Sequence, residues 1–243
     1  MLLRYLERGV AAGAIAGLGY GAFVAAVVNP FVEHAESLVH YGHGHDHAHS
    51  VAVAETTTAA VGVGGGILWG ILLGGMFGLA YYVLEPSLPG TGTMKAYVLA
   101  GAGFLTVSVV PWLVLPPPAP GTEHALGTDA RLLIYVALMA LGALVGAASI
   151  LGYRRAAPRG RAFAVAVAAV PVAVVVVALP LAAPAGANGG AVPGELVAAF
   201  RGVVVSSQAA LWAVIAASYG WLHRRASGST GASAVDRSSL ADP

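Results

Sequence analysis

The chain has 243 residues, of which 58% are hydrophobic and only 9% are charged, and its mean hydropathy is +0.79. These values lie outside the range of soluble globular domains and indicate an integral membrane protein. The formal net charge of +1 argues against a nucleic-acid partner, because it offers no basic surface to replace the counterions of a phosphate backbone. The lack of cysteine excludes disulfides, thiolate metal sites and cysteine nucleophiles.

Six apolar segments are long enough to cross a bilayer, which requires about 20 residues of helix. They lie near residues 9–28, 61–84, 96–115, 131–152, 162–182 and 196–222. The alternation that a membrane β-barrel needs is absent, so helices must satisfy the backbone in lipid. The sequence therefore predicts an all-α integral membrane protein with about six transmembrane helices.

The basic residues predict how these helices are oriented. Ten of the twelve fall on one side of the segments, and only Arg131 and Arg201 fall on the other. The positive-inside rule then places both termini in the cytoplasm and the first loop outside. We expect a membrane domain over residues 1–225 with an extracytoplasmic loop over 33–60, and a disordered polar tail over 226–243. A cleaved signal peptide is the alternative for the first segment.

Glycine recurs at every fourth residue in the first two segments. The first segment contains Gly9, Gly13, Gly17 and Gly21, and the second contains Gly62, Gly66, Gly70, Gly74 and Gly78. Small residues at this spacing let helix backbones approach closely in a membrane. The two stripes predict that the first two helices pack together and clamp the loop between their outer ends; contacts in a homo-oligomer are the competing use.

Five of the eight histidines lie within ten residues of that loop. They are His40, His43, His45, His47 and His49, with Asp46 among them. Neutral imidazoles bind Co²⁺, Ni²⁺, Cu²⁺ and Zn²⁺, and the intervening small residues let the backbone fold several rings around one ion. The pattern predicts a loop that collects a divalent metal. An internal expression tag and a solvated loop without metal are the alternatives.

Further polar residues flank this loop on both sides. Glu33 and His34 follow the first segment, and Glu55 introduces the second. Together they could form a mixed oxygen and nitrogen site that receives the ion. Solvated carboxylates and capping of the second helix by the neighbouring threonines are an equally good interpretation.

Polar residues inside the spans are scarce, and each is a candidate for a translocation path because burial in lipid is costly. The candidates are Asn29, Ser206, Ser207 and Gln208. For the last three, hydrogen bonding to a neighbouring helix is the favoured alternative. Aromatic residues near the span ends are typical of interfacial anchors; they are Tyr81, Tyr82, Trp112, Tyr219 and Trp221.

No catalytic constellation is present in the sequence. A Gly-rich phosphate loop, a His-Glu-x-x-His motif and a serine nucleophile elbow are all missing. We therefore expect a protein that is not an enzyme and holds no permanent cofactor.

Several short motifs resemble, in their order and spacing, the CbtA family of prokaryotic cobalt transporter subunits. They are Glu55-Thr56-Thr57, the run from Val63 to Gly70, Tyr81-Tyr82-Val83-Leu84-Glu85-Pro86 with Leu88-Pro89-Gly90, Gly103-Phe104-Leu105, Pro111-Trp112, Leu115-Pro116-Pro117-Pro118, Pro120-Gly121-Thr122-Glu123, and Thr128-Asp129-Ala130-Arg131. The similarity covers most of residues 1 to 222. It implies a cobalt uptake component linked to cobalamin synthesis, accompanied by a small one-span, histidine-containing partner (CbtB-like).

The leading hypothesis is thus a permease component for cobalt, or for nickel or zinc, in which the histidines collect the ion and the Gly-packed helices form the passage. A membrane scaffold or sensor that binds metal for a separate transporter, and itself conducts nothing, is the first alternative. An exporter of nickel, zinc or cobalt is the second, although an exporter would gain most from a cytoplasmic collector.

Overall fold

A computed structural model describes residues 1–33, 51–117, 127–182 and 194–239, with side chains throughout except in 51–59, 182 and 227–239. The main helices are α1 (Leu2–Phe23), α2 (Val51–Leu84), α3 (Thr93–Phe104), α4 (Thr128–Ala156), α5 (Arg161–Ala182) and α6 (Gly194–Ser239). A π-helical segment, Val24–Val28, continues α1. A second one, Leu105–Val109, and a last helical turn, Val110–Val114, continue α3.

Six helices among the described residues are long and apolar enough to cross a membrane. They cover Leu2–Glu33, Ala60–Leu84, Thr93–Val114, Thr128–Arg159, Arg161–Leu181 and Gly194–Ala226. Each overlaps one of the six predicted segments, and the described part of the chain contains no strand. The predicted all-α membrane fold is confirmed. Helix α6 continues beyond its span to Ser239, through most of the segment predicted as a polar tail.

Helices α1 and α2 pack with their backbones in direct contact. A Cβ atom placed on Gly17 would lie 2.6 Å from the carbonyl oxygen of Gly66, and one on Gly21 would lie 2.7 Å from the carbonyl oxygen of Val63. Gly9 faces backbone atoms of Gly74 and Gly78, and Gly13 faces those of Gly70 and Gly74, in the same way. Gly62 differs from the predicted stripe, since a Cβ there would meet only the side chains of Asn29 and Val24. Only glycine permits this approach, since any side chain would force the helices apart.

Helix α6 packs along α1 and α3, and its Tyr219 ring contacts Phe77 and Tyr81 of α2. The core between them contains small side chains of α1 and large ones from the other three helices; it includes Ala12, Ala16, Leu73, Phe77, Tyr81, Leu99, Ile215 and Tyr219. Helices α4 and α5 pack on each other beside α3. Only 6% of the apolar stretch of α5 is buried, so α5 is the most peripheral of the six spanning helices.

Each π-helical segment lies just before a proline, Pro30 in the first span and Pro111 in the third. Proline has no N–H to donate to the carbonyl oxygen four residues earlier, and its ring clashes with that carbonyl. A widened, π-helical turn relieves the clash. In the third span that carbonyl belongs to Val107, and it accepts a hydrogen bond from the Tyr135 hydroxyl of α4 at 2.6 Å. The carbonyl that the proline frees is therefore used to attach α4 to α3.

Basic side chains gather at one end of the bundle, which we call the basic end. There Lys95 Nζ donates to the Glu85 carbonyl oxygen at 2.9 Å, and an Arg154 nitrogen lies 3.5 Å from the Ser87 carbonyl oxygen. Arg224 donates to the Thr93 hydroxyl at the start of α3. These contacts hold the α2–α3 turn against α4 and α6.

Replacing Gly17 with Ala should destabilise the protein, because the new methyl group would overlap backbone atoms of α2. Forced overpacking costs about 1–3 kcal/mol, and each kcal/mol lowers Tm by about 2–4 °C in a chain of this size. The matched control is Gly19→Ala on the same helix, where a Cβ would meet nothing within 4 Å. That variant should keep or raise Tm, since alanine favours helix. Thermal unfolding in detergent measures both, and equal Tm values would contradict the α1–α2 packing.

Candidate functional site

The two stems of the histidine-rich segment lie at the same end of the bundle, opposite the basic end. Because α1 and α2 are antiparallel and in contact, residue 33 at the end of the first span and residue 51 at the start of α2 lie on one side. The Asn29 amide nitrogen lies 3.4 Å from where a Cβ of Gly62 would be, so the helices stay adjacent near this end. The carboxylate of Glu33 is exposed here.

Most of the predicted metal ligands fall outside the described residues. These are His34, His40, His43, His45, Asp46, His47 and His49. Glu55 lies on the described backbone of α2, but its side chain is not described. Within the described ranges, no group of three or more His, Asp or Glu residues could hold a metal ion. A metal site made from the predicted ligands therefore depends on residues 34–50.

The polar cluster predicted in α6 divides into two kinds of side chain. Ser206 and Ser207 donate to carbonyl oxygens of their own helix, at 3.1 Å and 2.9 Å. Gln208 instead donates from its amide nitrogen to the Tyr20 hydroxyl of α1 at 3.1 Å. Of these three residues, only Gln208 bonds to another helix in the described structure.

The backbone contact between α1 and α2 leaves no room for an ion. Even a methyl group on Gly17 or Gly21 would overlap backbone atoms of the partner helix. A passage formed by these Gly-packed helices therefore cannot run between α1 and α2 and would have to follow their other faces. Any route through the described bundle has to follow another helix pair.

A second polar cluster, the inner cluster, lies at the basic end where α1, α2 and α6 meet. It consists of Tyr5 and Arg8 of α1, Glu85 after α2, and His223 of α6. The Tyr5 hydroxyl donates to Glu85 Oε2 at 2.8 Å, and its ring centroid lies 5.8 Å from that of His223. An Arg8 nitrogen lies 3.1 Å from His223 Nδ1.

The contact with Arg8 defines the hydrogen-bonding state of His223. A guanidinium can only donate, so His223 Nδ1 must accept and a neutral ring carries its proton on Nε2. A doubly protonated imidazole would lose this acceptor and face a positive charge instead. The inner cluster thus joins α1 to both α2 and α6 through polar contacts at the membrane boundary.

Two of the five aromatic residues predicted to be interfacial anchors are core residues instead. Tyr81 is 1% exposed and Tyr219 is 0% exposed, and their ring centroids lie 4.8 Å apart. Phe77 packs edge-on against Tyr219 at 5.1 Å. The helical repeat indicates this burial. Tyr81 follows Phe77 by four residues and so lies on the same, buried face of α2, whereas the next residue, Tyr82, faces outward and is 42% exposed.

The sequence as a whole matches the model of a known protein family. That family is described as a probable cobalt transporter subunit (CbtA), and the match extends over residues 2–224. The chain belongs to the CbtA family. This confirms the resemblance carried by the motifs, and it places the chain among probable cobalt transporter subunits. Comparisons with curated proteins and with solved structures gave no match.

Replacing Tyr5 with Phe should weaken the inner cluster, because Glu85 would lose its hydroxyl donor while the aromatic ring remains. A bond to a carboxylate at a half-exposed site should contribute about 1 kcal/mol of stability. The control is Tyr82→Phe. Tyr82 is exposed, and its ring packs edge-on against that of Tyr5 with the ring centroids 5.4 Å apart. We expect a lower Tm for Tyr5→Phe and little change for the control. A Tm for Tyr5→Phe equal to or above that of the control would show that the hydrogen bond to Glu85 does not stabilise this end.

Proposed function

We propose that this CbtA protein carries Co²⁺ into the cell across the cytoplasmic membrane, with its histidine-rich loop collecting the ion outside. The observation that supports it best is the backbone contact between α1 and α2, which brings both stems of the histidine-rich segment to one end of the bundle. Cobalt follows from the family, and nickel and zinc share the same ligand preference.

The placement of charge supports the proposed direction of transport. Arg8, Lys95, Arg154 and Arg224 make their contacts at the end opposite the histidine-rich segment. The positive-inside rule places that basic end, and both termini, in the cytoplasm. The histidines would then face outward, where a collector serves uptake rather than export.

The receiving site would be formed by Glu33, His34 and Glu55 below the loop. Glu33 and the backbone of Glu55 belong to the two stems that α1 and α2 hold together. Carboxylate and imidazole suit a borderline divalent ion. A membrane potential of 100 mV contributes about 2.3 kcal/mol per charge, or about 4.6 kcal/mol for Co²⁺, which favours inward movement without ATP hydrolysis.

The passage would follow the contact between α1 and α6, which we call the α1–α6 seam. Two polar contacts join these helices at different depths, Gln208 with Tyr20 in the span and Arg8 with His223 at the basic end. Polar groups in lipid are costly unless they pair with one another, and they commonly mark ion pathways. The inner cluster would form the cytoplasmic gate of this route.

A second protein is implied by the family, whose description is that of a transporter subunit. We propose that it is the small one-span, histidine-containing, CbtB-like protein. A homo-oligomer of this chain is the alternative assembly. The non-conducting scaffold is the second candidate function, and one observation favours it: the described spans contain no group of three potential metal ligands.

Binding of Co²⁺ by the purified protein should depend on neutral histidine. At about pH 5 only a few per cent of an ordinary imidazole is neutral, so affinity should fall more than tenfold relative to about pH 7.5. Replacing His40, His43, His45, His47 and His49 together with Ala should remove the high-affinity component. The control His223→Asn changes a histidine of the inner cluster and should retain it. Equilibrium dialysis measures this, and equal binding at both pH values would refute histidine ligation.

Orientation can be tested with single cysteines, because the chain has none of its own. Thr91→Cys places a thiol in the exposed α2–α3 turn at the basic end, and Gly127→Cys places one just before α4 at the other end. In intact cells a membrane-impermeant maleimide should label Gly127→Cys but not Thr91→Cys. Thr91→Cys should react once the membrane is permeabilised. The opposite pattern would place the histidine loop in the cytoplasm and favour export.

A further inference from the structure

Two apolar grooves flank the line along which α3 and α4 meet. The α2–α4 groove has a volume of about 600 Å³ and lies between α2, α3, α4 and Trp212 of α6. The α4–α5 groove has a volume of about 720 Å³ and lies between α3, α4 and α5. Ala102, Gly146 and Ile150 line both. The two grooves are therefore separated only by small or aliphatic side chains at the α3–α4 contact.

The walls of both grooves open toward lipid. Met76 and Leu84 line the α2–α4 groove and are 53% and 40% exposed, and Val165 lines the α4–α5 groove and is 54% exposed. In a membrane these apolar walls face acyl chains rather than water. A lipid chain can therefore enter each groove sideways.

Each groove has one charged lining residue, and in both it is an arginine. Arg154 lines the α2–α4 groove and Arg161 lines the α4–α5 groove, without any acidic residue in either lining. Arg154 lies against the Ser87 carbonyl oxygen, which also lines its groove. An apolar channel with an uncompensated guanidinium at its membrane boundary is complementary to an acyl chain attached to a phosphate.

From this arrangement we infer that the two grooves bind anionic phospholipid, with one acyl chain in the groove and the phosphate at Arg154 or Arg161. The volumes suit a chain and not a helix. A transmembrane helix about 10 Å across and 30 Å long occupies roughly 2,400 Å³, several times the volume of either groove. Bound lipid would fill the space between α4 and its neighbours and stabilise the association of α4 and α5 with the other four helices. This inference does not depend on the direction of transport.

Native mass spectrometry of the delipidated protein tests the headgroup. Phosphatidylglycerol should bind more tightly than phosphatidylcholine of the same chains, and Arg154→Gln with Arg161→Gln should weaken it by about fivefold for each arginine. The matched control is Arg155→Gln with Arg159→Gln, two exposed arginines of the same connection that line neither groove. Equal loss in both double variants, or equal binding of the two lipids, would overturn the inference. Binding of inorganic phosphate as tight as that of phosphatidylglycerol would mean that the headgroup alone is recognised, and would also overturn it.

Fluorescence quenching tests the position of the chain independently. Trp212 lines the α2–α4 groove and is only 7% exposed, whereas Trp69 and Trp221 are 38% and 43% exposed. The variant Trp69→Phe, Trp112→Phe, Trp221→Phe retains Trp212 as its single tryptophan. Phosphatidylglycerol with brominated acyl chains should quench the fluorescence of Trp212 in this variant strongly. Brominated phosphatidylcholine should quench it weakly. Weak quenching by both lipids would show that no acyl chain occupies the groove, whatever the headgroup result. A co-purifying protein that blocks quenching would identify the groove as a protein–protein interface and would also overturn the inference.

Discussion

The structure depends on the direct contact between the backbones of α1 and α2. Because Gly17 and Gly21 meet backbone atoms of α2, these two helices behave as one antiparallel unit. Their pairing brings the stems of the histidine-rich segment together and leaves no space for an ion between them. It also presents a joint surface on which α6 packs, and α6 in turn connects to α3. The position of the two stems and the exclusion of a route between α1 and α2 thus have the same physical cause.

The fold was largely predictable because two simple signals determine it. Length and hydropathy identified the six spans, and the four-residue period of glycine identified the faces of α1 and α2. The inner cluster was not predictable in this way. Tyr5, Glu85 and His223 come from distant parts of the sequence, and no periodicity indicates that α6 crosses both α1 and α2. The burial of Tyr81 could have been predicted, because Tyr81 follows Phe77 by one helical turn. Its position near the end of the second span instead suggested an interfacial anchor.

The proposed passage and the two lipid grooves lie along different helix pairs. The α1–α6 seam, which the proposed passage follows, carries the Gln208–Tyr20 and Arg8–His223 contacts. The grooves flank the contact between α3 and α4, and their linings are mainly apolar with a single arginine each. Lipid there would support the fold without entering the route of the ion.

The most direct test of the central claim is entry of radioactive Co²⁺ into proteoliposomes that contain this chain alone, under an inside-negative potential. The account predicts entry for the wild type and for Ser206→Ala, since Ser206 is exposed and bonds only its own helix. It predicts a loss of about tenfold or more for Gln208→Leu, corresponding to at least about 1.4 kcal/mol of barrier, with Tm and Co²⁺ binding retained. Absence of entry in the wild type despite Co²⁺ binding, or a Gln208→Leu rate equal to that of the wild type, would contradict a passage along the α1–α6 seam.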